Sequence, residues 1–188
     1  MIGLNPVLTI GKQLTETLIL HKKLNKKEAL ENAEFLLDEV GLTNPRIQLR
    51  RYPHELSGGM RQRVMISMAL SWEPDLLIAD EPTTALDVTI QAQILELMKE
   101  LQEKYQAANL MITHDIGVIA EVADRVAVMH AGDVVEEAEI GQLFNDPKHP
   151  YTLGLMKAIP SAVESLVDNE SFYNIPGAVP SSLKLPEG

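Results

Sequence analysis

Residues 75–87 read DLLIADEPTTALD, and this stretch decides the fold. Its first six residues form a short apolar run that ends in a carboxylate, as expected of a strand buried on both faces of a parallel sheet. A second run of this kind, NLMITH, follows at residues 109–114. Between the two runs, residues 89–105 carry apolar side chains at helical spacing: Ile90, Ile94, Leu97, Met98 and Leu101. The sequence therefore predicts a βαβ unit of an α/β fold.

Upstream of this unit, the chain predicts a small, mainly helical layer. Asn25 can cap a helix, and Glu28 occupies the capping-box position. Gly41 ends the pattern, so a helix is expected over residues 25–41. The apolar face of this helix consists of Ala29, Ala33, Leu36, Leu37 and Val40. Residues 10–20 predict a weaker helix before it.

Downstream of the βαβ unit, the predicted elements are shorter. A helix is expected over residues 115–122, a hairpin over residues 125–135, and two short helices between residues 139 and 160. The remaining residues lack periodicity and predict an extended tail, which includes Pro176, Pro180 and Pro186.

Composition narrows the possible classes of function. The 188 residues are 45% hydrophobic, which suffices for a globular core. The net charge of -11 opposes nucleic-acid binding, since proteins that grip a phosphate backbone concentrate Lys and Arg. The sequence contains no cysteine, so these residues form neither a disulfide nor a thiolate metal site. No run approaches the roughly 20 apolar residues of a membrane span.

The first strand ends in groups suited to phosphate chemistry, and ligands of parallel sheets gather beyond the carboxyl ends of the strands. Asp80 can hold Mg²⁺ through water, and Glu81 can orient or deprotonate an attacking water. Successive strand residues face opposite sides, so the two carboxylates share a site only if the backbone turns at Glu81. Pro82 favours such a turn. Taken alone, the pair is also compatible with the start of a polar loop.

Residues 56–59 read LSGG and precede a run that can continue as a helix to residue 70. Ser57 can cap this helix. Glycines in the first turn leave backbone N–H groups uncovered, which creates an anion site at the positive end of the helix. A plain capped loop remains the alternative. His114, taken alone, is likewise compatible with a satisfied histidine at a strand end.

These features occur in one order, and in this combination the chain resembles ATP-binding cassette (ABC) proteins. Residues 56–59 are similar to the family signature, and residues 76–81 to the Walker B strand with its catalytic glutamate. Residues 85–87, which read ALD, resemble the D-loop, and His114 resembles the switch histidine. Met60 stands where many members carry Gln, a departure that the peptide-importer branch tolerates.

Three further stretches resemble one branch of that family, the importers of dipeptides, oligopeptides and nickel. They are YPHE at residues 52–55, EPTTALDVTIQ at 81–91 and HPYT at 149–152. The resemblance implies an incomplete P-loop NTPase-like cassette with a parallel core sheet and a mainly helical signature subdomain. It places the helical subdomain at residues 1–72, the Walker B and switch-histidine part of the α/β core at 73–138, and the C-terminal helices and tail of the importer branch at 139–188.

In the family, each ATP lies between one subunit's Walker A loop and the signature of a second subunit. This arrangement implies that Ser57, Gly58 and Gly59 contact the γ-phosphate of ATP held by the partner. It also implies that Asp87 crosses the dimer seam.

Three other residues would serve the chain's own nucleotide. The resemblance implies that Asp80 holds Mg²⁺ through water, that Glu81 activates the attacking water and that His114 senses the γ-phosphate. The loop that cradles such a nucleotide, Gly-x-x-x-x-Gly-Lys-Ser/Thr, does not occur in the sequence. Because that loop supplies most of the charge compensation for the phosphates, we expect no Mg²⁺-dependent ATPase activity from this chain alone.

The resemblance also leads us to expect that the chain is truncated at both ends relative to the family. Residues 1–6 resemble the segment just past the glutamine loop, and residues 186–188 resemble those just before a cysteine-bearing stretch. A Walker A strand would pair beside the strand that ends at His114. Without that strand we expect an open sheet edge and either poor solubility or rescue of the fold by the missing segment.

The resulting hypothesis is an ATP-binding and ATP-hydrolysing subunit of a bacterial-type importer of peptides or nickel, peripheral to the cytoplasmic face of the cell membrane. Its expected partners are a second ABC ATPase subunit, identical or different, two membrane-spanning permease subunits and, indirectly, a substrate-binding protein, with no nucleic acid. One alternative is a non-hydrolytic module that completes a partner's ATP site or holds an assembly together. Another is the ATPase head of a DNA-repair or chromosome-organising protein, which net acidity and the lack of coiled-coil heptads oppose.

Overall fold

The computed structural model describes residues 3–158, and the chain divides into two compact units, Met1–Thr113 and His114–Gly188. Each unit has its own hydrophobic cluster. The boundary between the units falls between Thr113 and His114, whereas the sequence led us to expect boundaries after residues 72 and 138. The expected three-part division stays a prediction. The predicted extended tail lies outside the described residues.

The first unit consists of a helical part followed by a βαβ unit. Its elements, in chain order, are α1 (Ile10–Lys22), α2 (Lys26–Glu39), α3 (Pro45–Gln48), a 3-10 turn (Pro53–Glu55), α4 (Gly58–Leu70), β1 (Leu76–Asp80), α5 (Val88–Tyr105) and β2 (Ala108–Ile112). The predicted helices and strands of this part are confirmed. The short α3 and the 3-10 turn were not predicted, because neither is long enough to show a period in the sequence.

The predicted capping of α2 is present at both ends. Asn25 Oδ1 accepts from the Glu28 N–H at 3.0 Å, and the Glu28 carboxylate accepts from the Asn25 N–H at 2.9 Å. Gly41 follows the helix with a φ of 72°, a conformation that glycine adopts without strain. Arg63 of α4 donates to the Val40 carbonyl at 2.6 Å and so satisfies one of the last acceptors of α2. The Arg63 bond holds the end of α2 to α4.

Strands β1 and β2 pair in parallel, from Leu76 opposite Ala108 to Asp80 opposite Ile112. One face of this sheet packs against the core of the unit through Leu77, Ala79 and Met111. The other face, which we call the exposed sheet face, carries side chains that are 49–60% exposed: Leu76, Ile78, Leu110 and Ile112. The expectation that both faces are buried is therefore wrong, because the described residues of this unit cover one face only.

The core of the first unit lies between the helices and the covered sheet face. The predicted apolar face of α2 is buried, and so are four of the five residues predicted for α5: Ile94, Leu97, Met98 and Leu101. Ile90, the fifth, is half-buried and packs against the same cluster. The periodicity of the sequence therefore predicted the core-facing sides of both helices correctly.

A polar cluster joins the carboxyl ends of α2 and α5. The carboxylate of Glu39, whose side chain is only 7% exposed, pairs with Lys104 and accepts a hydrogen bond from the Tyr105 hydroxyl. Burial, followed by the hydrogen bond to Glu39, raises the pKa of the Tyr105 phenol well above its ordinary value. A nearly buried carboxylate that has two donors is satisfied, so the cluster holds the two helix ends together.

The second unit contains α6 (Ile116–Val122), β3 (Arg125–His130), β4 (Asp133–Glu139), α7 (Ile140–Asn145) and α8 (Pro150–Lys157). The two strands form the predicted antiparallel hairpin, and Ala131 and Gly132 turn it with φ values of 51° and 98°. Its core is small and centres on Val128, Ala138 and Leu143. The two short helices predicted after the hairpin are confirmed.

The HPYT stretch starts α8 and attaches it to the hairpin. His149 Nδ1 accepts from the Tyr151 N–H at 3.1 Å as the helix cap, and Pro150 occupies the first helical position. The Tyr151 ring lies against the His130 ring of β3, with 4.2 Å between the ring centroids. This stretch therefore has a structural use within the unit.

Glu136 of β4 holds the same helix start from the other side. Its carboxylate accepts from the N–H of Lys148 at 2.8 Å and of His149 at 2.9 Å. The hydroxyl of the buried Thr152 faces this carboxylate without completing a hydrogen bond. The Thr152 hydroxyl, followed by the two backbone N–H groups, holds the pKa of Glu136 below its ordinary value. The ionised form is thus the one that fits the fold.

Among residues 3–158, no helix is both long enough and apolar enough to cross a bilayer.

Candidate functional site

The backbone turns at the end of β1, where the sequence requires a turn for the predicted site. Glu81 adopts a φ of 49°, a left-handed conformation that is uncommon outside glycine. Its N–H donates to the Ile112 carbonyl at 2.9 Å, so the main chain is held to β2 while it changes direction. The chain therefore makes the turn at Glu81 that Asp80 and Glu81 need if their carboxylates are to face one site. Their catalytic roles stay predictions.

Thr84 holds the side chain of Glu81. Its hydroxyl donates to Glu81 Oε2 at 2.6 Å, and its N–H lies 3.3 Å from the Glu81 carbonyl. Ala85, the next residue, is again left-handed with a φ of 64°. Thr84 was not among the functional residues predicted from the sequence. The available signal was its position three residues after a carboxylate in a tight turn, where Ser and Thr side chains bond locally.

Ser57 caps α4 as predicted, because its Oγ accepts from the Met60 N–H at 3.3 Å. Gly58 and Gly59 are the first two residues of this helix. The N–H groups of a first helical turn have no carbonyl partner within the helix and carry its positive end. The structure therefore contains the helix start that a phosphate would need, while contact with a partner's nucleotide stays a prediction.

The signature glycines pack against the start of α5. A Cβ placed on Gly58 would lie 3.1 Å from Leu86 Cδ2, and one placed on Gly59 would lie 2.6 Å from Ile90 Cγ2. The second distance is shorter than Cβ contacts in real proteins, so a side chain at Gly59 requires a shift of α4, of α5 or of the Ile90 side chain. The sequence assigned Ile90 to a helix face but gave no sign of this contact.

Asp87 caps α5, since its Oδ1 accepts from the Ile90 N–H at 2.9 Å. The residue is exposed, and its predicted position across a dimer seam stays a prediction. The first unit thus brings together the signature and the residues that resemble the D-loop. Ser57 and Asp87 each cap one of two neighbouring helices.

His114 is the first residue of the second unit and is exposed. Asp115 follows it and caps α6, with its Oδ1 accepting from the N–H groups of Gly117 at 2.9 Å and Val118 at 3.4 Å. The predicted cooperation of His114 with Glu81 stays a prediction.

The carboxylate of Asp80 has the chemistry of a protein ligand for a magnesium ion that is bound to a nucleotide. Asp80 is an exposed carboxylate at the end of β1. Among residues 3–158 no three His, Asp or Glu side chains cluster in a way that would enclose a metal ion. Mg²⁺ commonly takes one or two protein carboxylates and completes its shell with water and phosphate oxygens. One strand-end carboxylate is therefore a suitable protein ligand for a metal ion that arrives with phosphate.

A shallow surface depression on α2 and α3 is lined by residues that include Phe35 and Ile47 and by none of the predicted site residues. It therefore lies apart from the candidate site.

Comparison with known proteins agrees with the motifs. The family model described as "ABC transporter" matches residues 2–84, and the model described as "Oligopeptide/dipeptide transporter, C-terminal region" matches residues 135–188. The chain is 56% identical, over its full length, to the oligopeptide transport ATP-binding protein AppD of Bacillus subtilis (strain 168), of which it covers 56%. It is 53% identical to OppD of the same organism, again over its full length, and covers 52% of that protein. The chain thus spans about half the length of the curated relatives it matches.

A solved structure supports the fold. The chain is similar to the dimeric post-hydrolysis state of the ATP-binding cassette MJ0796 bound to ADP and Pi, with a TM-score of 0.63 and 31% identity. The match covers 73% of this chain and 59% of that one. The strand pair of the first unit is parallel, as expected of an incomplete P-loop NTPase-like cassette. The chain belongs to the ATP-binding proteins of the ABC transporter family and carries the C-terminal region of the oligopeptide/dipeptide branch.

Proposed function

We propose that the chain forms the part of an ATP-hydrolysing importer subunit that carries the signature, the strand-end carboxylates and the switch histidine. The observation that carries this proposal is the backbone at Glu81. A non-glycine residue in the left-handed region costs about 1–2 kcal/mol, and at Glu81 this conformation makes the turn that shared use of Asp80 and Glu81 requires. Its carboxylate is also held by Thr84, as a group that must orient water needs to be.

The residues of the site divide the chemistry between them. Asp80, at the exposed end of β1, binds Mg²⁺ through water. Glu81 orients the attacking water and accepts its proton, and His114 donates a hydrogen bond to the γ-phosphate. Mg²⁺ supplies charge neutralisation of the phosphates when it is bound.

The signature serves a nucleotide on a second subunit. Ser57, Gly58 and Gly59 contact the γ-phosphate of that nucleotide through the first turn of α4. Asp87 lies near the seam between the two subunits. The similar MJ0796 cassette is a dimer bound to ADP and Pi, which supports a two-subunit arrangement that is either homodimeric or heterodimeric.

The transported substrates are peptides. This part of the proposal is supported by the match to the C-terminal region of the oligopeptide/dipeptide branch and by relatives whose names state oligopeptide transport. The subunit works at the cytoplasmic face of the cell membrane with two permease subunits, and a substrate-binding protein delivers peptide to them.

A second candidate function is a non-hydrolytic half-site. It is favoured by one observation: the signature helix is complete, with Ser57 as its cap and Gly58 and Gly59 in its first turn. In this role Ser57 and its neighbours complete the ATP site of a partner, while Asp80 and Glu81 take no part in turnover.

Nucleotide binding and turnover test both candidates. A fluorescent ATP analogue is titrated into the chain alone, into an oligopeptide-importer ATPase subunit with an intact phosphate loop, and into their mixture. We expect no binding or turnover by the chain alone and tighter binding by the mixture. Clear turnover by the chain alone that Glu81→Gln abolishes would contradict the expectation.

The same mixture separates the two candidates. Turnover that falls with both Glu81→Gln and Ser57→Asp supports the hydrolytic subunit. Turnover that falls with Ser57→Asp alone supports the half-site. A mixture that binds no more tightly than the partner subunit would overturn both.

A further inference from the structure

We propose that Ile90 is a positioning residue that links Asp87 to Gly59, so that the D-loop and the signature of this chain move together. The functional meaning of the link rests on the proposed use of both motifs on nucleotide. The contact itself is a property of the first unit alone. Gly59 is then required by packing within the chain as well as by any phosphate.

The side chain of Ile90 forms the first half of the link. Its Cγ2 methyl lies 2.6 Å from the position that a Cβ of Gly59 would occupy, and its Cβ lies 3.9 Å from it. The methyl branches directly from the Cβ, and a β-branched residue in a helix has essentially one χ1 rotamer. Moving the methyl aside therefore costs rotamer energy, and the α4 backbone at Gly59 packs against it.

The main chain of Ile90 forms the second half. Its N–H donates to Asp87 Oδ1 at 2.9 Å, which makes Ile90 the residue that receives the cap of α5. The residue is half-buried and packs against the core cluster of the unit. A displacement of the Asp87 side chain is thus transmitted to the α5 backbone at Ile90, and from its methyl to Gly59.

A second contact runs in parallel. Leu86 Cδ2 lies 3.1 Å from the position of a Cβ on Gly58, so both signature glycines touch the segment that starts α5. The Leu86 contact is looser, and its methyl is at the end of a flexible side chain. Ile90 therefore sets the position of the signature more strictly than Leu86 does.

The shape of the Ile90 side chain provides a matched test. Ile90→Leu removes the Cγ2 branch and keeps the side-chain volume, whereas Ile90→Val keeps the branch and reduces the volume. We measure denaturant unfolding of the full chain for Gly59→Ala alone and combined with each Ile90 variant, without nucleotide. Gly59→Ala should raise the unfolding equilibrium constant about tenfold or more, as overpacking does, alone and with Ile90→Val. In the Ile90→Leu background, Gly59→Ala should raise the unfolding equilibrium constant by less than about threefold.

The opposite ranking would overturn the proposal. If Ile90→Val rescues Gly59→Ala better than Ile90→Leu, volume and not the methyl branch determines the contact. If neither variant rescues it, Gly59 is required for a reason unrelated to Ile90.

A spectroscopic measurement tests transmission in variants that retain the native fold. Asp87→Ala removes the cap, and we follow the backbone amide resonances of residues 58–60 against those of residues 29–37 in α2. We expect Asp87→Ala to shift the resonances of residues 58–60 in the wild-type background and to shift them less than half as far in the Ile90→Leu background. Equal shifts in both backgrounds would refute the link. Because nucleotide is absent, this result would leave the proposed ATPase role untouched.

Discussion

The hydroxyl of Thr84 donates to Oε2 of Glu81 at 2.6 Å, across a turn in which Glu81 itself is left-handed. The carboxylate that resembles the catalytic glutamate is thus held by a residue within the same short motif. A hydrogen bond at an exposed position contributes little to stability. Its effect is therefore to restrict the direction of the carboxylate, which is what the proposed general base requires.

Backbone strain at Glu81 predicts an unusual ranking of two variants. Glu81→Gly and Glu81→Ala both remove the carboxylate and its bond to Thr84, but only glycine relieves the left-handed strain. The relief of about 1–2 kcal/mol exceeds the entropic cost of glycine, about 0.5–1 kcal/mol. We expect Glu81→Gly to be about 0.5–1 kcal/mol more stable than Glu81→Ala in urea unfolding.

The matched control for this ranking is Glu96, an exposed residue in the interior of α5. There glycine should be less stable than alanine by about 1 kcal/mol, as in other helix interiors. The interpretation of Glu81 as strained fails if glycine is the less stable variant at both positions.

Variants of Ser57 separate its capping role from its proposed role at phosphate. Ser57→Ala removes the cap of α4 and should lower the free energy of unfolding by about 1 kcal/mol. Ser57→Asp keeps a good cap and adds a negative charge at the positive end of the helix, so stability should be retained. That charge repels a γ-phosphate, and Ser57→Asp should therefore weaken ATP-dependent association with a partner subunit.

Light scattering with and without ATP measures this association. The proposed phosphate role is contradicted if Ser57→Asp associates as strongly as the wild-type chain.

The exposed sheet face predicts self-association. Four apolar side chains on one side of two strands form a surface that other chains can contact. Replacing Ile78 and Leu110 by Thr places a β-branched residue at both positions and removes part of this apolar surface. We expect a larger monomer fraction in size-exclusion chromatography.

Leu77→Thr is the matched control on the covered face, because Leu77 packs against the core. It should lower stability and leave the monomer fraction unimproved. An unchanged elution profile for the double variant would show that the exposed face does not drive association.

Glu136 predicts an acid-sensitive attachment of α8. The pKa of this carboxyl is lowered from its ordinary 4.5 by the Thr152 hydroxyl and by the N–H groups of Lys148 and His149. A carboxylate whose folded-state pKa is lowered stabilises the fold above the unfolded-state pKa and loses this contribution as pH falls through the folded-state value. The stabilisation is therefore complete at neutral pH and disappears below pH 4.5.

The urea midpoints of the wild-type chain and Glu136→Gln should differ at pH 7 and converge as the pH is lowered step by step below 4.5. Glu121→Gln, at an exposed position of α6, serves as the control, and its urea midpoint should equal that of the wild-type chain at every pH. A difference between the wild-type chain and Glu136→Gln that is the same at every pH would show that the carboxylate does not act through its charge.

The elements of this protein could be predicted from local patterns. Asn25 and Glu28 marked the start of α2, and the spacing of Ile94, Leu97 and Leu101 marked the buried side of α5, because a cap and a helical face are properties of residues a few positions apart. The order of the signature, the strand-end carboxylates and His114 also pointed to the family, which the comparisons confirm. These conclusions needed no knowledge of long-range contacts.

Contacts between distant parts of the chain were decided only by the tertiary structure. A run such as LLIA is apolar on both sides, so the sequence predicted two buried faces for β1, whereas the fold of this unit covers one. The closeness of Gly59 to Ile90 depends on how α4 crosses α5, and the bonds of Glu136 depend on where α8 begins beside the hairpin. Patterns of hydrophobicity and capping specify which residues become buried or end a helix. The partner of each residue is set by packing between distant positions. Glu136 meets a residue 12 positions away, and Gly59 meets one 31 positions away. This packing exists only when the whole unit is folded.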